Sequence, residues 1–210
     1  SSALTLTSPT IASEVSFDAG VVAAGNLTIG VTNINLRLNK TLSANAIDTA
    51  GHTVTLSANT AEIIVDDAIV GSGGIIVTPL QRNSSLQTTR IEFKRANSYT
   101  GRTVIQDGGE IVLSGGTQVH GTLGSIAAPT EIHGRLRLFY DSDVTLTEPL
   151  ELAGGTVAAE FPFDSVNDHT TTLQGVIRVL PGDTASIVTS DLHSFLDVAG
   201  PIAGEGTLEI

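Results

Sequence analysis

Cysteine, methionine and tryptophan are all absent from the 210 residues. Without cysteine there is no structural disulfide and no thiolate zinc site. Most small extracellular eukaryotic modules carry disulfides, whereas a cysteine-free exported bacterial protein and an intracellular protein both stay compatible with this lack. Methionine is missing even at position 1, so Ser1 is expected not to be the native start. The chain then reads as a fragment or a processed segment of something longer. Aromatic residues make up only 4%, which leaves Val, Ile, Leu and Ala to build the core. Basic residues are scarce: 10 Lys and Arg stand against 22 Asp and Glu, for a net charge of −12. That balance disfavours nucleic acid and anionic lipid as partners. No basic stretch followed by an apolar run opens the chain, so no signal peptide is visible. No apolar run reaches the roughly 18 residues needed to span a membrane, so no membrane insertion of this segment is expected.

Glycine, by contrast, is plentiful at 22 residues, and mean hydropathy is slightly positive at +0.23 with 15% charged residues. Such a composition argues against disorder and fits a turn-dense β protein. Short apolar blocks recur between Gly-containing turns, as at residues 34–38, 62–65, 75–77, 89–93, 104–105, 111–113, 144–146 and 150–152. In residues 34–38, Ile34, Leu36 and Leu38 alternate with Asn35 and Arg37, the period of a half-buried strand. Blocks beginning at Glu110, Glu131, Leu150 and Thr172 are spaced by about 21, 19 and 22 residues, within the range of solenoid repeats. One such interval holds about three short strands and three turns, the content of one coil of a parallel β-helix. An antiparallel sandwich also has many evenly spaced strands, but its strands run to about 5–6 residues over an aromatic core. The fold class expected is therefore all-β, a single-stranded parallel β-helix occupying residues 1–210. Polar residues 79–86 and 161–170 read as loops extruded at coil corners.

The most specific stretch is residues 96–115. Asn97-Ser98-Tyr99-Thr100-Gly101 is followed by Thr103-Val104-Ile105, the Gly108-Gly109 turn and Ile111-Val112-Leu113-Ser114-Gly115. This pattern resembles the passenger-associated β-helix repeat of autotransporters and related giant bacterial surface proteins. Gly71-Ser72-Gly73-Gly74-Ile75 is similar to the opening of one such repeat, and residues 204–208 to the opening of the next. The clearest repeat spans residues 71–115. Residues 81–86 are longer and more polar than the family pattern, and Arg90 and Glu92 replace small residues. The resemblance implies the right-handed hand of the helix, export by a Gram-negative-type bacterium, a secreted or cell-surface location, and a role as passenger stalk or adhesin in virulence or cell adhesion. The family's repeats carry no catalytic residues, so none is carried over.

Read one by one, the polar residues favour structural roles. Tyr99 is expected to cover a strand end or stack at a coil corner with its hydroxyl bonded, against a rival role in carbohydrate stacking. Asn97 is expected in an Asx-type turn or an asparagine ladder. The acidic pairs Asp66-Asp67, Asp141 with Asp143, and Asp164 with Asp168 suit solvated turns; calcium is the alternative. A polysaccharide hydrolase would need paired carboxylates, for which Glu131 with Glu110 or Glu151, and His133 near Glu131, are the candidates. His52, His120, His169 and His193 are scattered, Asp191 and Asp168 beside them included. The sequons at Asn26 and Asn83 are of a kind frequent by chance. No catalytic, cofactor-binding or metal residue is assigned and no cofactor is expected. The expected function is a structural stalk or adhesin segment. A polysaccharide-binding module, with Tyr99, Tyr140 or Phe residues exposed along a groove, and a β-helical hydrolase or lyase are the alternatives. Expected partners are a glycan or a surface ligand of a host or neighbouring cell. Open sheet edges at both ends would also favour end-to-end self-association.

Overall fold

The computed structural model describes residues 2–8, 13–39, 45–79, 89–116, 119–160, 168–189 and 193–210. Many of its strands are short, alternating one or two inward apolar residues with outward polar ones before a turn. In Thr89–Phe93, Ile91 and Phe93 are fully buried while Arg90 and Glu92 face outward. Each buried aliphatic side chain contributes about 1.5–3 kcal/mol relative to exposure. No single rung can close that core alone, so rungs stack.

They stack into a right-handed parallel β-solenoid, with no helix among the described residues. The first sheet piles nine strands: Ser2–Thr7, Leu27–Thr32, Val54–Asn59, Ile75–Val77, Thr103–Ile105, Thr130–Ile132, Leu150–Leu152, Ile177–Val179 and Ile202–Gly204. The second sheet piles Ser13–Phe17, Ile34–Leu38, Glu62–Val65, Thr89–Phe93, Gly109–Gly116, Arg135–Tyr140, Thr156–Glu160, Thr184–Thr189 and Thr207–Glu209. Neighbouring rungs pair in parallel throughout both stacks. The one antiparallel contact among the described residues joins Val119–His120 to the end of Gly109–Gly116. Nine rungs at the usual strand spacing make a rod about 38 Å long. The expected solenoid is the observed one, and the sandwich is not.

The repeat itself differs from the sequence expectation. Register partners Leu27, Val54, Ile75, Thr103, Thr130, Leu150, Ile177 and Ile202 mark unequal first-sheet steps. The step from Ile75 to Thr103 is the longest of these and that from Thr130 to Leu150 the shortest. The blocks beginning at Glu110, Glu131, Leu150 and Thr172 do not mark one side. Glu110 lies in the second sheet, Glu131 and Leu150 in the first, and Thr172 in the third. Inward–outward–inward triplets occur on all three sides, as at Leu136–Leu138, Val144–Leu146 and Leu150–Leu152. The loop reading of residues 80–86 falls outside the described residues, as does that of residues 161–167, but His169 and Thr170, read as loop, belong to the strand His169–Leu173, paired in register with Ser194 and Phe195. These segments lie within the long steps from Ile75 to Thr103 and from Leu150 to Ile177. The two shortest steps, Val54 to Ile75 and Thr130 to Leu150, contain neither.

The third side is interrupted. It is a sheet at one end (Val21–Val22, Ile47–Asp48, Ile69–Val70) and again at the other (Val144–Leu146, His169–Leu173, Ser194–Val198). Between them run residues 96–101 and 121–125, with no strand. The backbone still climbs by single bonds: Ser98 N–H donates to Ile69 O (2.9 Å) and Ser125 N–H to Tyr99 O (2.9 Å). Asn97 supplies what the missing ladder does not. Its Oδ1 accepts from Ile69 N–H (2.7 Å) and its Nδ2 donates to Thr122 O (2.6 Å). It is thus neither an Asx turn nor an asparagine ladder, but a tie between the coils on either side. Tyr99 fills the core behind it, fully buried, with its hydroxyl 2.5 Å from Thr103 Oγ1. Tyr140 is buried beside the same break and donates to Gly121 O (2.8 Å).

Corners are tight where backbone lies on backbone. A Cβ on Gly73 would fall 1.8 Å from His52 O, and one on Gly101 would fall 2.4 Å from Gly73 C. Only glycine lets His52, Gly73 and Gly101 nest on three successive coils.

Burial raises the phenol pKa of both tyrosines well above its ordinary value, and the Glu148 carboxylate adds to the effect. The consequence runs one way. Below about pH 10 folded and unfolded chains both keep the phenolic protons, and stability is unaffected. Above it the unfolded chain loses protons that the folded chain retains, so stability falls by about 1.4 kcal/mol per pH unit for each tyrosine. These are the only two tyrosines, and there is no tryptophan. Absorbance at 295 nm is therefore expected to stay flat above pH 10 and rise only with unfolding; a smooth non-cooperative titration near pH 10 would contradict the buried placement.

Candidate functional site

The pair of carboxylates picked out in the sequence lies on the outer face of the first sheet. Thr130 and Ile132 point inward, as do Leu150 and Leu152, which forces Glu131 and Glu151 outward. Val104, Glu131, Glu151 and Arg178 occupy one register column on four successive rungs. Arg102 precedes the Val104 rung and reaches up this column. Its Nη2 lies 2.7 Å from Glu131 Oε2 and also donates to Glu151 Oε2. His133 Nε2 takes the remaining oxygen, Glu131 Oε1, at 2.5 Å. Arg102 and His133 are exposed, at 44% and 40% of their side chains.

Chemically, one guanidinium ties three coils. Neighbouring strands bring the carboxylates to about the separation a retaining glycosidase needs. Yet Arg102 engages both, Glu131 has both oxygens engaged, and the face around them is a sheet surface. Sequence reasoning misses Arg102 because its partners lie one and two coils further along the chain. The signal is there all the same: an arginine one residue before an inward threonine, below two stacked outward glutamates. Arg102→Met is expected to cost about 1 kcal/mol in urea unfolding, as an exposed charge pair does. The loss should shrink when Glu131→Gln and Glu151→Gln are added. Additive losses in that cycle would show that the clamp does not couple the coils.

Glu110, the other candidate partner, does not join Glu131. It sits in the second sheet between Arg90 and Arg135, 3.8 Å from Arg135 Nε. There it belongs to a ladder of alternating charge. Glu62, Arg90, Glu110 and Arg135 follow one another in register on four rungs. Beside them Arg37 grips Asp66 with two bonds, Nε to Oδ2 at 2.7 Å and Nη2 to Oδ1 at 2.5 Å. That bond to Asp66 raises the Arg37 pKa above its ordinary value despite partial desolvation. Lys94 Nζ adds a contact to Asp66 at 3.8 Å. Arg135 and Arg137 both reach Glu160, the latter at 2.5 Å. Opposite charges on neighbouring rungs favour one register of the stack over a slipped one.

Most of the remaining candidates resolve into ties between coils. Asp66 is spent on Arg37 and Lys94, while Asp67 accepts from Ala68 N–H (2.8 Å) and Asn39 Nδ2 (3.3 Å). Asp143 accepts from Thr170 N–H (2.7 Å) and lies 3.9 Å from His169. Asp168 meets His193 at 2.9 Å, not Asp164, which lies outside the described residues together with Asp191 and the Asn83 sequon. Asn26 accepts from Thr53 N–H (3.1 Å) on the next coil. His120 packs edge-on to Tyr140 at 5.7 Å. Among the described residues no three His, Asp or Glu side chains converge on one point. Tyr99 and Tyr140, expected along a sugar groove in one alternative, are interior.

Comparison with known proteins returns no matching family model, no matching curated protein and no matching solved structure. What the chain shows by its own geometry is membership of the broad class of right-handed parallel β-solenoids.

Proposed function

We propose that this solenoid is a rigid structural segment, a stalk or adhesive spacer, of a secreted or surface-anchored bacterial protein of the autotransporter-passenger type. The observation that carries this reading is how the outward charges are used. Arg37, Arg90, Lys94, Arg102, Arg135 and Arg137 all hold carboxylates of their own or neighbouring rungs. Side chains spent in this way stiffen a stack. The resemblance of residues 71–115 to the passenger repeat supports the surface location, and the absence of cysteine suits passage across an envelope.

The partner of such a segment is a glycan or a protein on an opposing surface. The test is to display the chain on beads, challenge it with a panel of bacterial and host polysaccharides and with cells, and follow both retention and product release. Retention of cells or glycans without any shortening of the polysaccharide is expected of an adhesive segment, and neither retention nor shortening of a plain stalk. Release of oligosaccharides that stops in Glu131→Gln or Glu151→Gln would overturn the proposal in favour of a hydrolase or lyase.

A further inference from the structure

Charge is divided unevenly along the rod. Residues 1–140 carry ten acidic and nine basic side chains, whereas residues 141–210 carry twelve acidic and one basic. Nearly the whole net charge of −12 therefore sits on the last third of the chain. The ion pairs follow the same division. Before residue 140 the ladders join Arg37 to Asp66, Arg90 to Glu62 and Arg135 to Glu110. Arg102 and Arg137 then lend charge upward, to Glu151 and Glu160. Past Glu160 the loan ends. Among the described residues, Asp183, Asp197, Glu205 and Glu209 make no ion pair, and neither does Arg178, the single basic residue of this part.

We infer that the solenoid is electrostatically two-part, and that dissolved salt acts on the two parts with opposite sign. In the N-terminal part the charges of neighbouring rungs attract, and added ions weaken that attraction. In the C-terminal part they are mostly alike, and added ions weaken a repulsion. Rungs are about 4.8 Å apart. The screening length falls from about 30 Å at 10 mM salt to well under 10 Å at 500 mM. Charges several rungs apart thus act on one another in the first condition and barely at all in the second. Uncompensated like charge loosens a compact state, so the order of the C-terminal coils depends on the ionic surroundings in a way that of the N-terminal coils does not. The rod carries a segment whose order depends on ionic strength, and this holds whether the chain serves as a stalk or as anything else.

The test is amide hydrogen exchange on the whole chain at 10 mM and 500 mM NaCl. Exchange in Ile177–Val179, Thr184–Thr189 and Ser194–Val198 is expected to slow by about threefold to tenfold at high salt. Exchange in Ile34–Leu38, Glu62–Val65 and Thr89–Phe93 is expected to stay constant or to quicken. The variant Asp183→Asn, Asp197→Asn, Glu205→Gln, Glu209→Gln should show the low-salt protection of its C-terminal strands raised towards the high-salt value. Protection that rises equally in both parts, or a C-terminal salt response that survives in the variant, would reduce the effect to general salting-out and overturn the inference. So would the absence of any salt response.

Discussion

Replacing Gly101 by alanine is expected to cost the protein about 4 kcal/mol or more, at the severe end for a single substitution, because it forces packed backbone apart. The added methyl would lie 2.4 Å from Gly73 C, 2.5 Å from Gly73 O and 2.6 Å from Gly74 N. None of these atoms belongs to a side chain that can swing away. Gly73 cannot retreat either, because the His52 carbonyl stands directly behind it. The strain must therefore separate the coil of Ile75–Val77 from that of Thr103–Ile105. Gly25→Ala is the matched control, since nothing lies within 4 Å of a Cβ there, and it should stay within about 0.5 kcal/mol of the parent. Urea midpoints of the two variants measure the contrast. Equal midpoints would mean that the coils breathe enough to admit a methyl group, and the nested corner would have to be abandoned as a source of stability.

Tyr99→Ala is expected to cost about 3–5 kcal/mol, as removal of a large buried aromatic does. The ring stands where the third sheet has no strand, so no neighbouring ladder can collapse into the space. Tyr99→Phe keeps the ring and loses the hydroxyl contact to Thr103, for an expected cost of about 1 kcal/mol. The ordering of the two variants is the diagnostic point. If Phe were as damaging as Ala, the hydroxyl network and not the filled volume would hold the break together. Thr103 Oγ1 has Leu123 O as a second partner at 3.3 Å, so loss of the phenol does not orphan it.

Fold and site are legible to different depths, and the reasons are physical. Alternation in residues 34–38 and 89–93 fixes which side chains point inward, and each of those strands lies where the alternation places it. Short blocks punctuated by glycine fit a sandwich poorly and a solenoid well. The pitch does not follow, because a corner contributes length but no pattern. Pairing Glu110 with Glu131 as successive coils mistakes two sides of the rod for two storeys of it. Glu131 and Glu151 come out as neighbours because the step from Thr130 to Leu150 is short, with little chain in its corners. Asn97 reads as a local turn former because a single chain shows only local neighbours. Its partners Ile69 and Thr122 belong to the coils before and after it. The same distance effect hides Arg102. Residues that act between coils leave their signature at the pitch, which is the quantity the corners blur.

The unequal pitch carries one more consequence. First-sheet pairing is as regular across the long step from Ile75 to Thr103 as across the short one from Thr130 to Leu150. A corner thus gains or loses chain without displacing a ladder bond. For evolution, and for an engineer, the corners whose length varies are sockets, unlike the nested corner of Gly73 and Gly101. A foreign peptide or a small domain set into one would ride on the outside of the rod, while the stack beneath it keeps its register.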